Sequence, residues 1–101
     1  MIRLAVTHRA RRDRDDILRY LAREAGPLVV RKFADRFRDA ASRLLEMPAY
    51  GPPRPEFGQW CRAIVIAPYL LIYDYDPARD QVTLLRIMHG KRGLTEKLLR
   101  R

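Results

Sequence analysis

Two arginines interrupt otherwise apolar runs in the C-terminal half of the chain. Arg62 lies in the run CRAIVI and Arg86 in the run VTLLRIM. An arginine within a strand is costly unless its head reaches solvent or a partner. By alternation Arg62 falls with Trp60, Ile64 and Ile66, and Arg86 with Val82, Leu84 and Met88. Both are expected on the sheet face away from any covering helix, either snorkelling or paired with Asp74 or Asp76. His89 follows the second run and precedes Gly90, Lys91 and Arg92. Those cations disfavour an imidazolium, which suits a proton-transfer or phosphate-contact residue as well as a strand-end histidine bonded to backbone. Glu56, Lys91 and the tyrosines Tyr69, Tyr73 and Tyr75 complete a set from which a ribonuclease could be assembled. RNA cleavage through the 2′-hydroxyl needs no metal, only proton shuttling and charge stabilisation. The catalytic candidates on that reading are Glu56, Arg62, Arg86 and His89, and the sequence does not show whether they converge.

Other chemistries find less support. Cys61 is the single cysteine, which leaves no intrachain disulfide, and with only His8 and His89 beside it a structural zinc site is disfavoured. Neither a metal nor a cofactor is expected. No G-x-S-x-G elbow, Walker A loop, H-E-x-x-H pair or dinucleotide-binding glycine pattern is present. The one serine, Ser42, falls inside a helical stretch, and Asp15 and Asp16 are adjacent, so they do not face each other on a helix.

The elements that must carry these residues can be read from hydrophobic period and punctuation. Residues 2–7 alternate, with Ile2, Leu4 and Val6 on one face, and read as a strand. Thr7 is a suitable N-cap. From Arg9 the period becomes helical, with Ala10, Ile17, Leu21 and Ala25 on one face and arginines on the other; Asp13, Asp15 and Asp16 break up any phosphate-tracking stripe. Gly26-Pro27 ends this helix and starts a second, whose stripe is Val29, Phe33, Phe37, Ala40 and Leu44. So short a connection makes an antiparallel helical hairpin. Met47-Pro48 closes it. Residues 48–58 hold four of the seven prolines and two of the five glycines, which predicts an ordered loop with extended pieces rather than helix or central strand. Three strands follow, over 60–66, 69–75 and 82–89, joined by turns at Ala67-Pro68 and Asp76–Asp80. The expected fold class is α+β, β-α-α-β-β-β, with the hairpin on one face of a small antiparallel sheet.

Composition sets the outer bounds. The chain has 101 residues and a net charge of +9, with 48% hydrophobic and 33% charged side chains. One globular domain over 1–101 is expected. No run approaches the ~18 apolar residues of a membrane span. The N-terminal charges follow a short apolar run, the reverse of a signal peptide. The cytoplasm is the expected location, without a membrane association. The basic balance points to an acidic partner, nucleic acid or protein.

Taken in order, several motifs resemble the RelE/ParE toxin superfamily, and its ParE branch in particular. Thr7 with Ala10, the stretch Ile17-Leu18-Arg19-Tyr20-Leu21 and Gly26 before the second helix match the first half. Leu44-Leu45-Glu46-Met47-Pro48, Gly51, Arg54-Pro55-Glu56-Phe57, Arg62, Tyr69-Leu70-Leu71-Ile72-Tyr73 and Leu85-Arg86-Ile87-Met88-His89-Gly90-Lys91-Arg92 match the second. The resemblance implies the toxin of a type II toxin–antitoxin pair. ParE-type members poison DNA gyrase, RelE-type members cut mRNA on the ribosome, and both are silenced by an antitoxin segment folded across them. Residues 40–60 contain no lysine, unlike the RelE branch, and Glu56 falls in the R-P-E-F stretch typical of ParE. The resemblance therefore favours a gyrase poison with a ribbon-helix-helix, ParD-like antitoxin as a hetero-oligomeric partner. The alternatives are a metal-independent ribonuclease and an inactive homologue that only binds antitoxin.

Two surfaces are expected on this reading. Toxicity or target binding is assigned to Arg62, Arg86 and His89 because the resemblance places them at the superfamily's strand arginine and last-strand positions, and to the basic segment Lys91, Arg92, Lys97, Arg100 and Arg101 on charge complementarity. Antitoxin binding is assigned to Ile17, Tyr20, Leu21, Phe33, Phe37 and Trp60, because a two-helix hairpin on a small sheet leaves apolar side chains uncovered. The alternative for these six is ordinary core.

Overall fold

The computed structural model describes residues 1–90. Strand β1 (Arg3–Val6) leads into helix α1 (His8–Glu24) and helix α2 (Pro27–Glu46), and strands β2 (Cys61–Ile66), β3 (Tyr69–Asp76) and β4 (Gln81–His89) follow a proline-rich loop. The helix boundaries have local causes. The Thr7 hydroxyl accepts the Ala10 N–H at 3.0 Å, and the same hydroxyl donates to the Leu85 carbonyl at 2.9 Å, so one side chain caps α1 and ties it to β4. Gly26 takes φ +91°, and Pro27 occupies the start of α2, where no N–H is needed.

The strand order is β1-β4-β3-β2. Short turns make β2–β3 and β3–β4 antiparallel, as expected. β1 runs parallel to β4, from Arg3 opposite Gln81 to Val6 opposite Leu84, so the sheet is mixed rather than wholly antiparallel. No short connection joins these two strands, and hairpin reasoning does not reach their relative direction.

A bulge in β4 sets which side chains face which way. Ile72 pairs with Arg86 but Tyr73 pairs with Leu84, which leaves Leu85 as the extra residue. Val82 and Leu84 therefore pack toward the helices with Leu71, Tyr73, Phe37 and Leu44, whereas Leu85 and Met88 join Phe57, Cys61, Ala63 and Ile72 on the other side. The expected common face for Val82, Leu84, Arg86 and Met88 is broken by this one inserted residue.

The loop between α2 and β2 is ordered by the edge of β2. Arg54 N–H bonds the Cys61 carbonyl at 2.8 Å and Ala63 N–H bonds the Pro52 carbonyl at 3.2 Å, around a bridge between Pro53 and Arg62. Prolines are tolerated there because the outer side of the added segment needs no donors. One 3-10 turn, Pro55–Phe57, departs from the expected helix-free loop and puts Phe57 into the second cluster. Among the described residues no helix is long and apolar enough to cross a membrane.

Candidate functional site

The four ribonuclease candidates are held by four different parts of the structure. Arg86 is buried, and its guanidinium grips Asp13 of α1 through Nε–Oδ2 at 2.7 Å and Nη2–Oδ1 at 3.1 Å. Asp13 Oδ2 also accepts the Ile87 N–H at 3.0 Å, at the stretch of β4 beyond the end of β1. The partner expected for Arg86 was Asp74 or Asp76 on the far face; it is instead an aspartate of the first helix. Such a pair has excellent geometry, and removing one partner of a buried pair is strongly destabilising.

Arg62 is half-buried and does not point away from the helices. It lies opposite Tyr73, whose ring is in the helix-side cluster, and its Nη1 donates to the Ala49 carbonyl at 3.1 Å and the Gly51 carbonyl at 2.8 Å. Glu56 is exposed and paired with Arg54 at 3.0 Å. A hydrogen bond from its own backbone N–H, then the one from Arg54, hold its carboxyl below the ordinary carboxylate range. That suits an anion, not a general acid. His89 is exposed at the end of β4, opposite Tyr69, with ring centroids 6.0 Å apart. Arg62 and His89 thus lie four positions apart along β3 and two strands apart, a separation of roughly 16 Å at ~3.3 Å per residue and ~4.8 Å per strand. Among the described residues no group of three His, Cys, Asp or Glu gathers as metal ligands would. Lys91, Arg92, Lys97, Arg100 and Arg101 lie outside the described residues.

Arg62 belongs to a clamp that sequence reasoning missed. Tyr73 is fully buried, yet its hydroxyl donates to the Pro48 carbonyl at 2.8 Å and accepts the Gly51 N–H at 2.9 Å. A side chain at Gly51 would meet the Ala63 carbonyl at 2.7 Å and the Tyr73 ring at 2.9 Å. The loop after α2 is therefore pinned by two side chains that face each other across β2 and β3. Burial pushes the Tyr73 hydroxyl pKa up, which keeps it neutral and able to donate. The available signal was a polar-tipped aromatic in the middle of an apolar strand, Tyr73, with a lone Gly51 between prolines.

Four of the six proposed antitoxin contacts line one open groove. Ile17, Tyr20 and Leu21 of α1 face Phe33 of α2 across it, and Pro68, Tyr69 and His89 close its end, enclosing about 520 Å³. Tyr20 is half exposed. Phe37 is buried behind the groove, in an aromatic cluster where the Phe33–Tyr69 rings meet edge-on at 5.6 Å and the Phe37–Tyr69 rings at 6.0 Å. Trp60 is remote from these residues; it lines a small notch with Pro53, Arg62 and Tyr75 at the β2 edge. A second apolar crevice of about 440 Å³ opens between the two helices over the sheet, with Leu18 and Phe37 on its walls and Arg11, Arg14 and Arg38 around it.

Comparison with known proteins bears on this geometry. Residues 4–94 match the family model described as the ParE toxin of the type II toxin–antitoxin system parDE. Among solved structures, a chain of the chromosomal ParDE toxin–antitoxin system from P. aeruginosa superposes with a TM-score of 0.74 at 20% identity, over 90% of this chain and 98% of that one. At that identity the likeness shows a shared fold. No curated protein sequence matches the chain.

Proposed function

The chain belongs to the ParE toxin family of type II toxin–antitoxin systems, and from that premise we propose that it arrests growth by poisoning DNA gyrase until a ParD-like antitoxin binds it. The site of action on this reading is the cytoplasm, where gyrase and DNA meet. The observation that carries the choice of gyrase over mRNA cleavage is the dispersal of the nuclease candidates. Arg86 is spent on Asp13, Arg62 on the Ala49 and Gly51 carbonyls, and Glu56 on Arg54, while His89 stands at the far end of the sheet. General acid–base catalysis needs groups within hydrogen-bond reach of one reacting phosphate. Arg62 and Arg86 serve here as positioning residues. His89 and the basic segment holding Lys91, Arg92, Lys97, Arg100 and Arg101 are the proposed target-facing charges.

The antitoxin's seat is the groove of Ile17, Tyr20, Leu21 and Phe33, with Phe37 supporting it from behind. A mostly apolar groove, whose one lining carboxylate, Asp16, is paired with Arg19, suits an acidic amphipathic segment in a chain of net charge +9: its carboxylates steer it and its apolar side chains fill the space. Tyr20→Asp should weaken antitoxin binding by about tenfold or more, since it puts a charge into the apolar contact, without altering the fold of an already half-exposed position. Isothermal titration with the antitoxin measures it; an unchanged affinity would move the seat elsewhere. Deleting residues 93–101 should abolish toxicity and spare antitoxin binding, and retained toxicity would remove that segment from the target surface.

A further inference from the structure

The clamp around Gly51 fixes a loop whose outward side chains are large and apolar. Met47 and Tyr50, on either side of the pinned Pro48 carbonyl, are each about half exposed. The Arg43 guanidinium stacks over the Tyr50 ring at 5.0 Å from its centroid. Arg62 continues the surface, because it bonds the Ala49 and Gly51 carbonyls and also lines the notch of Trp60, which is exposed. A folded monomer gains nothing from holding Met47, Tyr50 and Trp60 outward on a pinned loop between α2 and β2. Tyr, Trp and Arg dominate binding hot spots, Met is enriched at interfaces, and a preorganised loop binds without losing much freedom.

We propose that Arg43, Met47, Tyr50 and Trp60 form a second surface with which the toxin grips its protein target, in addition to His89 and the basic segment, an inference that rests on the toxin reading above. The occupant is an acidic protein surface with an apolar cleft: carboxylates face Arg43, and the cleft takes Met47, Tyr50 and Trp60. Charge complementarity to a chain of +9 supports the acidic character. Met47 argues for protein over nucleic acid, since a thioether offers no flat face for base stacking but fills irregular apolar pockets well. This corner is separate from the antitoxin groove: Arg43 lies roughly 15 Å beyond Phe33 along α2, at ~1.5 Å per residue.

The test compares the double variant Met47→Ala/Tyr50→Ala and the single variant Trp60→Ala with the wild type and with Leu28→Ala, a control at an exposed apolar position near the start of α2. All four positions are exposed, so thermal melting should be unchanged. Growth arrest on induction, inhibition of gyrase supercoiling, antitoxin affinity and binding to plain duplex DNA are read in parallel. The expected result is that both patch variants need about tenfold or more protein to inhibit gyrase and lose growth arrest, with antitoxin and DNA affinities within about twofold of wild type. Patch variants that arrest growth as the wild type does would overturn the proposal. Loss of plain DNA binding in the patch variants would overturn it in favour of a nucleic-acid surface. If the wild type arrests growth without touching gyrase, the gyrase reading fails while the growth assay still judges the patch. A wild type that arrests nothing overturns both.

Discussion

Tyr73 is fully buried in the sheet, yet its hydroxyl makes two hydrogen bonds to a loop distant in sequence. Tyr73→Phe removes that oxygen and leaves the Gly51 N–H without its acceptor, which should cost about 1–3 kcal/mol in urea unfolding. The pH dependence has a definite sign. The folded state holds the Tyr73 proton more tightly than the ordinary value of 10.0, chiefly through burial. Its contribution is thus fully present below pH 10 and is lost as pH rises toward the higher folded value, because the unfolded chain ionises first. Urea unfolding across pH 9–11 should show this fall in the wild type and a shallower one in Tyr73→Phe; identical slopes would show that Tyr73 is not responsible. Asp13→Ala addresses the other buried polar contact. It removes the carboxylate that both the Arg86 guanidinium and the Ile87 N–H bond, and a loss of about 3–5 kcal/mol is expected. A smaller loss on the double change Asp13→Ala/Arg86→Met would show that the buried guanidinium's charge is the cause.

At the scale of elements, Thr7 is the joint between strand and helix. Thr7→Val keeps the shape but loses the cap to Ala10 and the bond to Leu85, so about 1–2 kcal/mol should disappear, measured by the same unfolding curve. The helix ends were legible because their causes are local: Thr7 before α1, Gly26-Pro27 between the helices, and Met47-Pro48 after α2. The strands were legible from alternation and from the turn residues between them. The bulge at Leu85 was not, because one extra residue leaves no mark in an apolar run, and with it went the common face expected for Val82, Leu84, Arg86 and Met88. The Asp13–Arg86 pair joins residues distant in sequence, and no local rule connects α1 to β4. The groove was partly legible. Ile17, Tyr20, Leu21 and Phe33 were found on one surface, whereas Trp60 shares a helical-stripe logic with none of them and lies at another edge.

For the molecule as a whole, the charge of +9 and the apolar openings act together. The short chain covers the sheet with one hairpin, which leaves open space between the helices and at their end. Association with an acidic antitoxin should be steered by charge, so its on-rate should fall several-fold between low and physiological salt while the off-rate changes less. Stopped-flow binding at two ionic strengths measures this, and salt-independent association would remove the electrostatic term. The central claim concerns the target, and a paired assay tests it most directly: purified protein is added to gyrase with relaxed plasmid and, separately, to ribosomes programmed with mRNA. Gyrase poisoning requires stalled supercoiling and accumulated cleaved plasmid, both reversed by the antitoxin, with the mRNA intact. Untouched gyrase together with ribosome-dependent mRNA cuts that vanish on His89→Ala would contradict it.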